Sequence, residues 1–361
     1  MAVPDVCRKV RRPGLIFCAF VMFGFLLGPV VNQEVAKTLE QIGQVGFLLL
    51  LFEVGLEINL PPLRQFAVPL GHAFKWALAQ YPVTFGLAKL AGMNGGQALL
   101  ASAALTACSV GMAHPAWKSY PNISFEPRTQ LLQVMVALEL MAIVVLAVET
   151  TVLKTGWSWS VALKLSGIGT TVLLIVYFAD SLTKLFQTIL ERTTHWRIHL
   201  LVLLVLVVCA AGNRLGLDSA KTAFFLGLAM RRTEHDGIPL EEYIAPISRQ
   251  FLVPLFFVAL GLQIDWQLLL GWVSLAAIGA AGMILAVREI LARRWLPTGG
   301  DGRSFLLLCP NLTLVALAAK ALQDAGMDAR LTAWLVLTGL FVTVVALALL
   351  PTGGDDSEPA T

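Results

Sequence analysis

Glu139 lies inside a long apolar stretch, and its type and position suggest chemistry more strongly than those of any other residue. The stretch QVMVALELMAIVVLAV, residues 133–148, contains no other ionisable side chain. A carboxylate near the centre of a membrane helix costs about 3 kcal/mol or more, so it is seldom retained without a partner or a function. It can coordinate a cation or hold a proton, but not both at once. We therefore predict a site shared by a cation and a proton; a structural ion pair with a basic residue is the alternative.

Two further apolar stretches carry clusters of small polar side chains. The polar residues are Thr106, Cys108 and Ser109 in one stretch, and Asn311 and Thr313 in the other. Pro310 removes a helix hydrogen bond just before the second cluster, and hydroxyl and amide groups can satisfy the freed backbone. Polar, interrupted helices are typical of a transporter's binding site, and their oxygens suit Na+ or K+. An ordinary proline kink with small residues for close helix packing is the alternative.

Two more charged residues interrupt predicted membrane helices. Glu53 lies before the end of the second predicted helix, deep enough to be a candidate for lining an ion path. Arg288 lies near the end of the tenth predicted helix. A long basic side chain at such a place often anchors the helix end by reaching the membrane surface, which is one interpretation of this residue.

The composition places all these residues in a membrane protein. Of 361 residues, 57% are hydrophobic and only 14% are charged, with a mean hydropathy of +0.76, whereas soluble domains average about 25% charged residues. Apolar windows of about 20 residues recur along the chain, which indicates an all-α polytopic membrane protein. The sequence contains no nucleophile–base pair, metal-ligand spacing or nucleotide-binding GxGxxG motif. We therefore expect no enzymatic activity, no cofactor, no nucleotide-binding domain and no nucleic-acid partner.

The predicted helices form one membrane domain over residues 1–350. We predict about twelve membrane helices, near residues 14–31, 43–59, 66–88, 96–116, 130–149, 160–180, 197–212, 218–231, 246–263, 267–289, 304–321 and 329–350. The sixth is expected to continue as an amphipathic surface helix, SLTKLFQTILER. Residues 351–361 are expected to be a disordered tail. The excess of Lys and Arg on one side of this arrangement predicts that both termini are cytoplasmic.

A repeated motif relates the two halves of the chain. Residues 52–60 read FEVGLEINL and residues 258–266 read VALGLQIDW, and each follows a run rich in Leu and Phe. The two copies end helices that run in opposite directions, which is the signature of inverted-topology repeats. We assign the first repeat to about 14–149, the second to about 218–350 and the linking helices to about 160–212. The two polar, interrupted helices then occupy matched positions and are expected to cross.

Three stretches resemble the monovalent cation:proton antiporter-2 family, which includes sodium/proton and potassium/proton exchangers. They are FLLLLFEVGLEINLPPLRQ, CRKVRRPGLIFCAFVMFGFLLGP, and AFFLGLAMRRT followed by EEYIAPISRQFLVPLFFVALGLQID. The resemblance covers nearly the whole chain and only the family's membrane domain. It implies a sodium/proton-antiporter-like fold, a homodimer in the cell membrane, and exchange of Na+ or K+ for H+ by alternating access. Arg288 would then compensate the charge of the core site.

Three departures from the family pattern keep two alternatives open. Leu138-Glu139 stands where the family usually has an Asn-Asp, Asp-Asp or Gln-Asp pair, so the carboxylate has no polar neighbour. Asn311-Leu312-Thr313 stands in place of a Gly-Glu-Phe-type stretch, and the additional N-terminal helix of many members is not predicted. With one carboxylate, one cation would exchange for one proton, so we expect electroneutral exchange. The alternatives are a carrier of an organic solute with the same fold, and a degenerate, non-transporting membrane subunit.

Overall fold

The computed structural model of the chain is helical and describes most of its residues. The described residues are 15–57, 63–118, 120–121, 123–155, 166, 170, 177, 181, 184, 188, 197–214, 219–230, 234–235, 238–264, 266–295 and 302–351. The basic segment at residues 8–12, nearly all of the predicted sixth helix with its amphipathic continuation, and the predicted tail beyond Pro351 lie outside them.

The first half of the described chain contains seven helices. They are α1 (Leu15–Leu27), α2 (Gln33–Glu57), α3 (Leu63–Leu90), α4 (Gly95–Thr106), α5 (Val110–Lys118), α6 (Phe125–Thr155) and α7 (Arg197–Arg214). The second half continues with α8 (Ser219–Met230), β1 (Glu234–His235), β2 (Ile238–Pro239), α9 (Leu240–Ile247), a π-helical turn (Ser248–Leu252), α10 (Val253–Leu262), α11 (Trp266–Leu269), α12 (Trp272–Trp295), a 3-10 turn (Ser304–Leu308), α13 (Leu312–Asp324) and α14 (Ala329–Leu349). The two short strands pair antiparallel.

Six stretches in the described part of the chain are long and apolar enough to cross a membrane. They are Gln33–Glu53, Gly95–His114, Glu126–Leu153, Trp272–Trp295, Ser304–Asp324 and Ala329–Leu349. Two of the six contain an interruption of the helix, because Gly95–His114 includes the break between α4 and α5, and Ser304–Asp324 the break before α13. The all-helical membrane architecture expected from the sequence is confirmed, while the count of twelve helices stays a prediction.

Several helices are longer than the sequence predicted. The fifth predicted helix, 130–149, extends over Phe125–Thr155, so Glu149 lies within the helix and not at its end. The tenth, 267–289, extends to Trp295 after a break at residues 270–271, which places Arg288 well inside α12. The ninth contains the π-helical turn Ser248–Leu252, an irregularity that the apolar sequence pattern does not signal.

The chain divides into two compact units. The first comprises Met1–Ala19, Pro61–Glu149 and Gln267–Thr361, and it contains both interrupted helices. Within it, α3 ends at Leu90, and Gly92 follows with a φ of +105°, a left-handed conformation that glycine adopts without steric cost. Asn94 then begins α4 with a capping box: its side chain accepts from the Gln97 N–H at 2.9 Å, and the Gln97 side chain accepts from the Asn94 N–H at 3.0 Å. These local signals set where α4 starts.

The second unit comprises Phe20–Leu60 and Thr150–Trp266. Its α2 packs closely on α8, and the contact depends on Gly227. A methyl group added at Gly227 would lie 2.0 Å from the carbonyl oxygen of Phe52, which is far too short for a contact between non-bonded heavy atoms. The glycine therefore lets the two helix backbones approach each other directly, as small residues do in membrane helix packing.

Gly227→Ala should destabilise the protein by about 3 kcal/mol, because the methyl group meets backbone and not a flexible side chain. The thermal unfolding midpoint of purified protein measures the effect. Gly282→Ala is the matched control, since nothing lies within 4 Å of the added methyl group, and its expected effect is within about 0.5 kcal/mol. Equal midpoints for the two variants would contradict the close approach.

Candidate functional site

The two interrupted helices meet at their breaks. We call residues 107–109, between α4 and α5, together with residues 309–311, between the 3-10 turn and α13, the crossing. The Ser109 N–H donates to the carbonyl oxygen of Pro310 at 2.6 Å, so the two breaks are in direct contact. Each break frees backbone groups that a continuous helix would pair, which concentrates carbonyl and amide dipoles at one place inside the membrane domain.

Glu139 reaches this crossing from α6. Its side chain is 2% exposed, and Oε2 accepts a hydrogen bond from the Val110 N–H at 3.0 Å. Val110 is the first residue of α5, so the carboxylate lies at the helix end where the macrodipole favours negative charge. The contact accounts for how a carboxylate is kept in an apolar helix. It also places Glu139 beside the interruption between α4 and α5.

Three other predicted residues lie in the same network. The Thr313 hydroxyl donates to Ser109 Oγ at 2.7 Å, which joins α13 to the first break. Asn311 is fully buried, and its Nδ2 donates to the carbonyl oxygen of Leu105 at 3.0 Å. The amide oxygen of Asn311 is also buried and has no hydrogen-bond donor among the described residues. A buried acceptor without a donor is the kind of group that a cation can satisfy.

The remaining two predicted ligands have their own partners. The Thr106 hydroxyl donates back to the carbonyl oxygens of Ser102 and Ala103, so it can offer only its lone pairs to a ligand. The Cys108 thiol lies 3.4 Å from the Leu307 carbonyl oxygen and donates to it across the crossing. Sulfur is a poor ligand for hard cations, and this contact is a structural tie between the two interrupted segments.

Arg288 holds the carbonyl ends of both breaks. It is fully buried in α12. Its guanidinium donates to the carbonyl oxygens of Leu105 at 2.6 Å, Ala107 at 3.5 Å, Leu308 at 3.2 Å and Cys309 at 3.1 Å. The interpretation of a side chain that reaches the membrane surface is therefore wrong. The positive charge of Arg288 faces helix C-termini, where the macrodipole is negative. Glu139 instead lies at a helix N-terminus, where the macrodipole is positive.

Two positioning residues were not anticipated from the sequence. Gln80 on α3 is buried, and its Oε1 accepts from Arg288 Nε at 2.7 Å. Thr343 on α14 is also buried, and its hydroxyl oxygen accepts from the Asn311 N–H at 3.2 Å. An uncharged polar side chain within a predicted membrane helix was the available signal for both. This signal is weaker than that of a charged residue, because a Gln or Thr side chain can also hydrogen-bond to the backbone of its own helix.

An apolar cavity of about 510 Å³ runs beside the crossing. Thr106, Ala107 and Leu138 line it near the break, and Tyr81 and Leu99 line it further along α4. Leu138 is the residue next to Glu139 that replaces the usual polar neighbour, and its side chain contributes to this apolar wall. The leucine found in place of the family's usual polar residue is therefore part of the wall of this cavity.

Glu53 belongs to the second unit, where it lies on α2 with 2% of its surface exposed. The two copies of the repeated motif lie at the ends of α2 and α10. Each contains a glycine in close contact with the backbone of another helix: Gly55 with Phe224, and Gly261 with Val21. These contacts explain the shared glycine of the two copies by helix packing.

Known proteins match this chain over nearly its whole length. The family model described as "Sodium/hydrogen exchanger, transmembrane" matches residues 4–352. The "Probable Na(+)/H(+) antiporter 3" of Methanocaldococcus jannaschii is 23% identical over 96% of this chain and 90% of its own length. The "Na(+)/H(+)-K(+) antiporter GerN" of Bacillus cereus is 25% identical over the same shares.

The fold has a counterpart among solved structures. The sodium proton antiporter MjNhaP1 of Methanocaldococcus jannaschii superimposes with a TM-score of 0.68 and 14% identity, covering 97% of this chain and 92% of the other. The match shows that the chain has the antiporter fold that the family resemblance implied. The predicted family and the expectation of a transporter instead of an enzyme are confirmed by these relatives. This multi-pass membrane protein belongs to the sodium/hydrogen exchanger family.

Proposed function

We propose that the protein exchanges Na+ or K+ for H+ across the cell membrane by alternating access, with Glu139 as the shared binding group. The observation that carries this proposal is the Glu139 carboxylate at the crossing, to which Asn311 also belongs. The amide oxygen of Asn311 is buried without a donor among the described residues. The relatives named as Na(+)/H(+) antiporters support the same substrates.

Competition for one carboxylate is sufficient for exchange. A cation binds ionised Glu139, with the Asn311 amide oxygen and the Ser109, Thr313 and Thr106 hydroxyl oxygens as neutral ligands. A proton on Glu139 removes the negative charge and releases the cation. The fixed charge of Arg288 stays on the carbonyl ends of the breaks throughout, so it compensates the carboxylate when neither ligand is bound.

One cation replaces one proton in this scheme, so exchange moves no net charge. We expect the initial rate in proteoliposomes to be unaffected by an imposed membrane potential. We also propose that the protein is a homodimer and that both termini face the cytoplasm, as the family resemblance and the distribution of Lys and Arg suggest.

The test is transport by the purified full chain in proteoliposomes that contain a pH-sensitive dye. A pH gradient is imposed, and NaCl, KCl or choline chloride is then added outside. Alkalinisation of the lumen with Na+ or K+, but not with choline, is the expected result, because a cation that enters exchanges for a proton that leaves. Identical traces for all three salts and for protein-free vesicles would contradict the proposal.

Replacing Asn311 should weaken cation binding specifically. We expect Asn311→Leu to raise the apparent KM for the cation about tenfold, or about 1.4 kcal/mol, because a neutral oxygen ligand is lost while the side-chain volume is nearly kept. Thr338→Val is the matched control, since the Thr338 hydroxyl is buried in the same unit but bonds to Trp334 within α14. An unchanged KM in Asn311→Leu would remove Asn311 from the ligand set.

The apolar cavity favours one second candidate, a carrier of an organic solute. Its volume of about 510 Å³ far exceeds what a bare cation needs, and Leu138 and Thr106 bring it beside the crossing. The same vesicles distinguish the two functions. Proton movement stimulated by apolar organic ions and by neither Na+ nor K+ would favour the second candidate.

A further inference from the structure

A partly buried glutamate lies on α6 well away from the crossing. Glu149 follows Glu139 by ten positions, about 15 Å further along the helix axis. The exchange scheme above does not use it. An ionisable residue inside a membrane-spanning helix still needs a physical account, because its charged form is costly there.

A tyrosine on α3 links Glu149 to a backbone carbonyl of α4. Its Oε1 lies 2.6 Å from the Tyr81 hydroxyl of α3, and the same hydroxyl lies 2.8 Å from the carbonyl oxygen of Leu99 on α4. The titratable groups that meet here are Glu149 from α6 and Tyr81 from α3, while α4 contributes a backbone carbonyl.

Counting protons decides which group donates. A tyrosine hydroxyl has one proton to donate, and a backbone carbonyl can only accept. Both short contacts are hydrogen bonds only if Tyr81 donates to Leu99 and Glu149 donates to Tyr81. Glu149 can donate only as a neutral carboxylic acid. With an ionised Glu149, one of the two contacts would bring together two oxygens without a proton between them.

The second oxygen of Glu149 leads to the same conclusion. Oε2 is buried and has no hydrogen-bond partner among the described residues. An ionised carboxylate would leave this charged oxygen unsatisfied, whereas the carbonyl oxygen of a carboxylic acid tolerates burial far better.

We propose that Glu149, Tyr81 and the Leu99 carbonyl form a second proton-binding site, which holds its proton at neutral pH and ties α3, α4 and α6 together. Release of the proton makes Tyr81 donate to Glu149 and breaks its bond to Leu99. Tyr81 and Leu99 both line the apolar cavity that reaches Thr106 and Leu138 beside the crossing. Protonation of Glu149 therefore controls whether Tyr81 and Leu99, in the wall of that cavity, are hydrogen-bonded to each other.

Infrared spectra of the purified full chain, recorded between acidic and alkaline pH, test this site without any transport assay. The carbonyl-stretch band of a protonated carboxylic acid is compared in wild type, Glu149→Gln and Glu139→Gln. We expect the wild type and Glu139→Gln to show at pH 7 a band that Glu149→Gln lacks, and this band to disappear at alkaline pH. Identical spectra for wild type and Glu149→Gln at pH 7 would show an ionised Glu149 and overturn the proposal.

Tyr81→Phe gives a second, independent readout that keeps the carboxylic acid in place. It removes the acceptor of the Glu149 proton, so the Glu149 band should move to higher frequency, as expected for an acid that has lost its hydrogen bond. An unshifted band would show that Tyr81 is not the partner. Because both readouts are spectroscopic, failure of this site and failure of cation exchange are distinguishable results.

Discussion

Glu139→Gln should reduce cation-driven proton movement to the rate of protein-free vesicles while leaving the protein folded. Glutamine can neither release a proton nor provide the negative charge that a cation needs. Its amide oxygen can still accept from the Val110 N–H, the contact that the glutamate makes at 3.0 Å. We therefore expect a change in stability of only about 1 kcal/mol, the usual net worth of one hydrogen bond.

The measurement is dye-reported exchange in proteoliposomes, together with the thermal unfolding midpoint of the same preparation. Glu126→Gln is the matched control, because Glu126 is exposed in the first turn of α6 and the chemical change is identical. Glu139→Asp provides a rescue: it restores the carboxylate, and the family usually has aspartate here, so measurable exchange should return. Wild-type exchange in Glu139→Gln would exclude Glu139 as the shared binding group.

Arg288→Ala should destabilise the protein by about 3–5 kcal/mol, the typical cost of removing one partner from a buried charged network. The guanidinium satisfies four backbone carbonyls that the two breaks expose, together with Gln80. Without it, these acceptors would remain buried and unpaired, and the carbonyl ends of both breaks would face each other uncompensated. We expect poor recovery of folded protein and a lower thermal unfolding midpoint.

Arg288→Lys separates charge from geometry. Lysine keeps the positive charge but has three donors on one nitrogen, so it cannot span carbonyls from both breaks as the planar guanidinium does. An intermediate loss of stability is expected. Arg293→Ala is the control, because Arg293 lies on the same helix in an exposed pair with Glu289, and it should change stability by less than about 0.5 kcal/mol. Equal midpoints for Arg288→Ala and Arg293→Ala would contradict the assigned role.

The two experiments address different properties of one site. Arg288 faces the carbonyl ends of the breaks and supports the architecture, whereas Glu139 faces an amide end and is the group that we propose for the exchange. Opposite charges are thus placed at helix ends of opposite dipole. A loss of stability without loss of exchange per folded molecule in Arg288→Lys, and the reverse in Glu139→Gln, would separate the two roles.

Much of the fold was predictable because the bilayer permits few structures. Apolar windows of sufficient length must form helices, and the predicted spans coincide with the described helices to within several residues at most ends. The glycine-containing motif at residues 52–60 and 258–266 and the polar clusters around Ser109 and Asn311 indicated the repeats and the crossing. Glu139 and Arg288 were predictable as candidate site residues, because a charged side chain in an apolar stretch is seldom kept without a partner or a function.

The tertiary structure decided how the backbone groups at the break between α4 and α5 are paired. Residues 107–109 contain neither proline nor glycine, and the local sequence would allow a continuous helix. The break exists because partners elsewhere satisfy its backbone groups: Pro310 accepts from Ser109, Glu139 accepts from Val110, and Arg288 donates to Ala107. These partners are far away in the chain, so the polar cluster around Ser109 indicates a break but does not show which residues satisfy its backbone groups.

The sequence by itself determined that this is a helical membrane protein with a carboxylate, an arginine and two polar breaks in its apolar interior. Only the tertiary structure decided how they are paired. It assigned Arg288 to the carbonyl ends of both breaks and added Gln80 as its support. It also joined Glu149 to Tyr81, which are 68 residues apart in the chain. Pairing of this kind follows from helix packing, which brings together residues that the sequence separates.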